Sequence, residues 1–212
     1  MHYLVLLIVY VLAPDLVFAQ AISDGVDRPA VPYGAMSTML EKSIFKVDVL
    51  TLELRVDEGT ASRLADVASG SEYSDALADS VAAIVLGAPE VLAQITFLRE
   101  ISLDQFLDGT DDDMRRAVEA RWLQPTDYER IKQALPQWFA FLEERRLRKG
   151  DQITYDVRGD SLVTVYRGND GAVLLEQTDI GQGARQSVLG TYFAPKSSFR
   201  SGLIKSLFRV RN

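Results

Sequence analysis

The sequence predicts an α+β fold, in which a large antiparallel sheet carries a layer of helices on one face. Three observations carry that prediction. From Phe45 to Val56, apolar Phe45, Val47, Val49, Leu52, Leu54 and Val56 interleave with Lys46, Asp48, Thr51, Glu53 and Arg55, the two-residue period of a strand with one wet face. Between residues 60 and 142, apolar positions recur mostly at helical spacing behind capping residues. Past Lys149, Gly150 and Asp151 the period returns to two, with Asn169-Asp170-Gly171 as a hairpin turn. Strands separated by helices and closed by an alternating meander call for an antiparallel sheet with helices on one side.

Each element follows from local chemistry. Met36, Met39 and Leu40 are expected to form the partner strand of a hairpin with Phe45–Val56. Helices are expected over Thr60–Ala68 and Ser74–Leu86. The second has Ser71 or Ser74 as N-cap, Leu77, Val81, Ile84 and Val85 on one face, and Gly87 and Pro89 at its end. Val91–Ile101 reads as a strand whose apolar surface comes from Leu92, Ile95, Phe97 and Leu98. Ser102 and Gln105 form a capping box that opens the next helix. Asp111, Asp112 and Asp113 lack the spacing and glycine of a calcium loop, and they suit the first turn of a helix beginning after Thr110. Thr126 and Glu129 make a second capping box before Ile131, Leu135, Trp138, Phe139 and Leu142, with Pro136 expected to bend that helix. Strands follow at Ile153–Val157, Leu162–Tyr166 and Ala172–Leu175, then helices over Asp179–Leu189 and Ser198–Phe208. Phe199, Leu203, Ile204 and Leu207 share one side of the last helix.

A chain of 212 residues that is 47% hydrophobic and 25% charged has enough apolar surface for one real core. Its start differs from the rest: an apolar run from Tyr3 to Ala13, then Pro14, Asp15 and small residues at peptidase spacing, either Val17/Ala19 or Ala19/Ala21, has the outline of a secretory signal peptide. The expected organisation is a signal peptide over 1–21, a leader over 22–32 rich in Gly, Pro and polar residues, and one domain over 33–212. The mature protein is then exported, periplasmic or secreted, with no transmembrane segment. His2 is the only histidine and cysteine is absent, so the mature chain has no means of thiol catalysis, a Cys/His zinc site, a Ser-His-Asp triad or a disulfide. No cofactor is implied. A net charge of −7 disfavours nucleic acid as a partner. The C-terminal stretch from Lys196 is locally basic, with Arg200, Lys205, Arg209 and Arg211. These cations suit the end of a final helix, and they form a candidate peripheral contact for an anionic membrane.

Four segments in order resemble the chalcone-isomerase-like family, in particular its bacterial exported branch. They are the strand Ile44-Phe45-Lys46-Val47-Asp48-Val49-Leu50-Thr51-Leu52, the stretch Phe97-Leu98-Arg99-Glu100-Ile101-Ser102 with Gln105, the turn Lys149-Gly150-Asp151, and Leu189-Gly190-Thr191-Tyr192-Phe193-Ala194-Pro195. The resemblance spans about residues 33–208. It implies an open-faced sandwich with a ligand cleft between sheet and helices. Catalytic relatives use an arginine, a threonine and a tyrosine there, and this sequence aligns Met36, Asp48 and Phe106 at those positions. Methionine offers no cationic donors and phenylalanine no hydroxyl. The resemblance therefore implies a non-catalytic protein holding an apolar, lipid-like or aromatic molecule, with Met36, Met39, Val47, Asp48, Phe97, Arg99 and Phe106 as candidate ligand-binding residues. Two competitors stand beside it: an intramolecular lyase or isomerase using Tyr155, Tyr166 or Asp48, and an envelope-associated adaptor using the basic C-terminal helix.

Overall fold

The computed structural model describes residues 35–42, 47–69 and 72–209. The signal peptide and leader expected over 1–32 lie outside the described residues. Six strands, β1 (Ala35–Lys42), β2 (Val47–Val56), β3 (Glu90–Phe97), β4 (Gln152–Arg158), β5 (Ser161–Arg167) and β6 (Val173–Ile180), form one open sheet in sequential order, every neighbouring pair antiparallel. Helices α1 (Glu58–Ala68) and α2 (Asp75–Leu86) connect β2 to β3. Helices α3 (Leu103–Glu119), α4 (Pro125–Trp138) and the short α5 (Leu142–Arg145) connect β3 to β4, while α6 (Gln182–Phe193) and α7 (Arg200–Arg209) follow β6. The class is α+β, as the sequence predicts.

Alternation fixes which face of the sheet is dry. In β3, Val91, Ala93, Ile95 and Phe97 are buried while Leu92, Gln94 and Thr96 are half-buried. Register carries the buried row across the sheet: Leu52 pairs with Ile95 and Ile95 with Ile153, while Leu54 pairs with Ala93 and Ala93 with Tyr155. Of the apolar surface expected from Leu92, Ile95, Phe97 and Leu98, Ile95 and Phe97 are buried, while Val91 and Ala93 complete the row in place of Leu92 and Leu98. The strand also stops at Phe97, because the Leu98 N–H turns to the Val49 carbonyl and Ile101 forms its own bridge to Leu147. The alternation in β2 changes phase for a visible reason. Leu40 pairs with Leu50 but Glu41 with Asp48, so Val49 is the extra residue of a β-bulge, and both Val49 and Leu50 are buried.

The helices depart from expectation in four places. Ser74, not Ser71, caps α2 through Leu77 N–H at 3.2 Å. The buried stripe of α2 is Ala78, Val81, Ala82 and Val85, with Leu77 and Ile84 only half-buried, so small alanines occupy the closest contacts. The capping box of α3 is present, with Gln105 N–H to Ser102 Oγ at 3.2 Å and Ser102 N–H to Gln105 Oε1 at 3.1 Å. Because α3 starts there and runs on to Glu119, Asp111–Asp113 lie mid-helix, where ion pairs rather than the helix dipole account for them: Arg115 reaches Asp111 and Asp112, Arg116 reaches Asp113, and Lys132 bonds Asp111 at 2.9 Å. Helix α4 opens on Pro125 after Gln124, with no side-chain cap, in place of the expected Thr126–Glu129 box. Proline at the first helical position lacks the N–H a cap would satisfy. Pro136 lies inside α4, which ends two residues later at Trp138.

The segment after Leu175 reverses the helix expected from Asp179. Strand β6 continues to Ile180, Gly181 turns the chain at φ 113°, and α6 begins at Gln182. Two arginines then lock the layers. Arg185, buried on α6, donates to the carbonyls of Leu86 and Ala88 at the end of α2 and of Gly159 in the β4–β5 turn. Arg200, buried on α7, donates to the Phe193 carbonyl at 3.1 Å and pairs with Asp79 at 2.5 Å.

The two rims of the sheet differ. Helix α7 runs along β1, where the Ser37 N–H donates to Ser206 Oγ at 3.0 Å, and Gly202 lies so close to Thr38 that a Cβ would collide with its hydroxyl. At the other rim β6 leaves Leu174 38%, Val173 44% and Ile180 82% exposed.

Candidate functional site

A cleft of about 350 Å³ lies between the buried face of the sheet and helices α3 and α6. That volume falls within the range of small-molecule sites. Its floor is apolar: Val49, Leu50, Ile95, Phe97, Val188 and Phe199 line it and all are buried. The bulge at Val49 matters here, since it turns two successive β2 side chains toward the same space. Phe106 of α3 forms a wall, held by an edge contact to Phe97 at 6.4 Å and a tilted contact to Phe139 at 4.9 Å between ring centroids.

Charge lies mainly at the rim, where Arg99, Asp108 and Asp112 are exposed beside Gln105, with Asp113 deeper. Asp112 and the more enclosed Asp113 are taken by Arg115 and Arg116. Among the described residues, Arg99 and Asp108 have no ion-pair partner. Inside, most hydroxyls serve their own helices: Thr110 donates to the Phe106 carbonyl at 2.9 Å, Ser187 to Ala184 at 2.7 Å and Thr191 to Ser187 at 2.6 Å. Two phenols remain. Tyr155 of β4 and Tyr192 of α6 both line the cleft with ring centroids 6.4 Å apart, and Tyr192 packs edge-on against Phe199 at 5.2 Å. Burial pushes Tyr155 up to about 12, against the opposing effect of the hydrogen bond from Tyr192. Burial also holds Tyr192 well above the ordinary phenol value, with Tyr155 and Asp113 adding to it. Both are therefore neutral at physiological pH and act as hydrogen-bonding groups rather than as bases. A second recess of about 50 Å³ lies beyond Thr110, Tyr155, Ser187 and Val188, which form the shared partition.

Of the residues singled out in the sequence, Phe97, Arg99 and Phe106 border this cleft. Met36 is fully buried opposite Leu54 and is not among the lining residues. Met39 is 49% exposed and alternates onto the open face of the sheet. Val47 and Asp48 open β2, paired with Lys42 and Glu41, and their side chains fall outside the described residues. Tyr155 lines the cleft, whereas Tyr166 lies outside it, donating to Asp151 at 2.5 Å. Sequence reasoning did not select Tyr192, Val188 or Phe199 for the cleft. Tyr192 falls within one of the four resembling segments, which was the available signal.

The basic C-terminal stretch is partly consumed by the fold. Arg200 is buried, Lys196 lies 3.9 Å from Glu119, and Lys205 sits 4.9 Å over the Tyr73 ring. The side chains of Arg209 and Arg211 lie outside the described residues. Among the described residues no group of three or more His, Cys, Asp or Glu could hold a metal ion, and no helix is long and apolar enough to cross a membrane. No family model matches the chain, and no curated protein matches it.

Proposed function

We propose that this chain is an exported binding protein of the chalcone-isomerase-like kind, which holds an apolar, lipid-like or aromatic small molecule in the cleft between its sheet and helices α3 and α6. The observation that carries the reading is the cleft itself: about 350 Å³ of space floored by buried apolar side chains, with charge mainly around its rim and the deeper Asp113 paired with Arg116. Burial of apolar surface there drives uptake. The non-catalytic half of the reading is supported by the inventory inside. Phe106 brings no hydroxyl, the two phenols are neutral, and the lining cation is Arg99 at the exposed rim. Export rests on the N-terminal sequence alone.

The test is native mass spectrometry of the protein purified from its own host, paired with uptake of the neutral dye Nile red by delipidated protein. A copurifying apolar species, and dye uptake weakened at least tenfold by Val188→Phe, are the expected results. Unliganded protein that takes up no dye would remove the proposal. Turnover of a hydroxychalcone by the purified chain would replace it with the intramolecular lyase, and Tyr155 would then be the first residue to substitute.

A further inference from the structure

The polar atoms of the cleft are few enough to be followed one by one, and they constrain its ligand. Thr110, Ser187 and Thr191 spend their hydroxyl protons on carbonyls of their own helices. The acids Asp112 and Asp113 are engaged by Arg115 and Arg116. Arg99, the lining cation, is exposed at the mouth together with Asp108. Tyr192 is buried against Phe199, with its ring facing Tyr155 at 6.4 Å between centroids. Tyr155 lines the cleft beside Val188, Ile95, Phe97 and Phe199, and among the described residues its hydroxyl reaches no backbone carbonyl. A hydroxyl donor facing an apolar cavity gains from an acceptor that arrives with a ligand.

We infer that the cleft selects molecules with an apolar body and one uncharged oxygen acceptor, such as a ketone, ester or ether, which takes a hydrogen bond from the Tyr155 hydroxyl. The acceptor is uncharged because the cleft's lining offers an anion no interior cation, while Asp113 lines the same space from α3. A carboxylate has a better position at the rim, beside Arg99, with its chain directed inward. Position along the sheet supports the assignment. Tyr155 pairs with Ala93, a side chain too small to shield it, so the phenol stands clear of its β3 neighbour.

This inference rests on the binding reading above, and the experiment separates the two. The full chain is titrated with undecane, 2-undecanone and undecanoate by displacement of Nile red, for wild type and Tyr155→Phe. The expected result is that 2-undecanone binds roughly tenfold tighter than undecane, the worth of one made hydrogen bond in an enclosed site. Tyr155→Phe is expected to erase that difference while leaving undecane and undecanoate unchanged. The infrared carbonyl stretch of bound 2-undecanone should fall below its value in hexane, a measurement that needs no variant. Equal binding of ketone and alkane, a ketone preference that survives Tyr155→Phe, an unshifted carbonyl, or a loss greatest for undecanoate would each overturn the inference and leave the binding reading standing. Absence of any uptake would overturn both.

Discussion

Arg145 lays both arms of its guanidinium on Asp151, Nη1 to Oδ2 at 2.6 Å and Nη2 to Oδ1 at 2.9 Å. The carboxylate is fully buried, and it also accepts from the Tyr166 hydroxyl and from the backbone N–H groups of Arg148 and Asn169. One side chain thus ties α5, the turn before β4, the end of β5 and the turn that follows it. The Lys149-Gly150-Asp151 turn reads in the sequence as a change of period and as one of the four resembling segments. In the fold it is the pin on which the meander starts.

That pin gives the protein an acid-sensitive joint. Burial alone would raise the Asp151 carboxyl, but Arg145, Tyr166 and the two backbone donors outweigh it and hold the group at about 2. The folded value lies below the ordinary carboxylate value of about 3.9, so its contribution is complete above pH ~4 and is lost as pH falls toward 2. The expected size is about 2–3 kcal/mol. Urea unfolding followed between pH 2 and pH 6 should show this loss, and Asp151→Asn should flatten it while costing about 3–5 kcal/mol at neutral pH by leaving Arg145 unpaired. An unchanged acid limb in Asp151→Asn would show that other carboxylates govern it.

Arg185 replaces a missing cap. The end of α2 presents the Leu86 carbonyl, and Ala88 follows with another, where the chain turns into β3 beneath α6. Arg185→Met keeps much of the packing but leaves these carbonyls and that of Gly159 without their donor. It should cost about 3 kcal/mol in urea unfolding. Arg185→Lys should recover only part of this, because a single ammonium cannot reproduce the fork. Equal stability of Arg185→Met and wild type would show that water serves these carbonyls as well as the arginine does.

Gly202→Ala tests how tightly α7 lies on β1. Its new methyl group would meet the Thr38 hydroxyl and come within 2.8 Å of Thr38 Cβ, so the helix must lift or β1 must yield. Destabilisation of about 1–3 kcal/mol is expected despite the better helix propensity of alanine. Thr38→Ala combined with Gly202→Ala should restore part of it, and additive costs in that double-mutant cycle would contradict the close approach.

Arg99 at the rim should act on charge and not on uptake as such. Arg99→Gln is expected to weaken undecanoate binding about two- to fivefold at low salt, less at high salt, and to leave undecane unchanged, as suits an exposed ion pair. A larger loss, or one shared by undecane, would place the guanidinium deeper than the structure does.

How much of this was legible in the sequence depends on how strongly each segment's burial is patterned. The β1–β2 hairpin, the Ser102–Gln105 box and strands β4 and β5 could be read because one face of each is dry or a short side chain meets a specific N–H. The sequence pattern of β6 fades at Leu175 although the strand runs to Ile180, since a rim strand whose residues are all exposed or half-buried carries little alternation to detect. Helix α6 was misplaced at its start for the opposite reason: Ala184, Arg185, Val188, Leu189 and Tyr192 are buried nearly all round, so no polar face marks its period. The cleft follows the same logic. Phe97, Arg99 and Phe106 fall in neighbouring stretches of sequence on β3 and α3, whereas Tyr155, Tyr192 and Phe199 come from three distant elements that only the folded sheet brings together. Met36 and Met39 illustrate the limit, because a strand's odd and even positions look alike until the register is known.

The unequal rims of the sheet have a further consequence for self-association. With Ser206 occupying a donor on β1 and Gly202 seated over Thr38, β6 is the more open margin among the described residues. A ribbon with one available margin ends as soon as two such margins meet. A second copy that paired its β6 with this one would cover the exposed Val173, Leu174 and Ile180 of both.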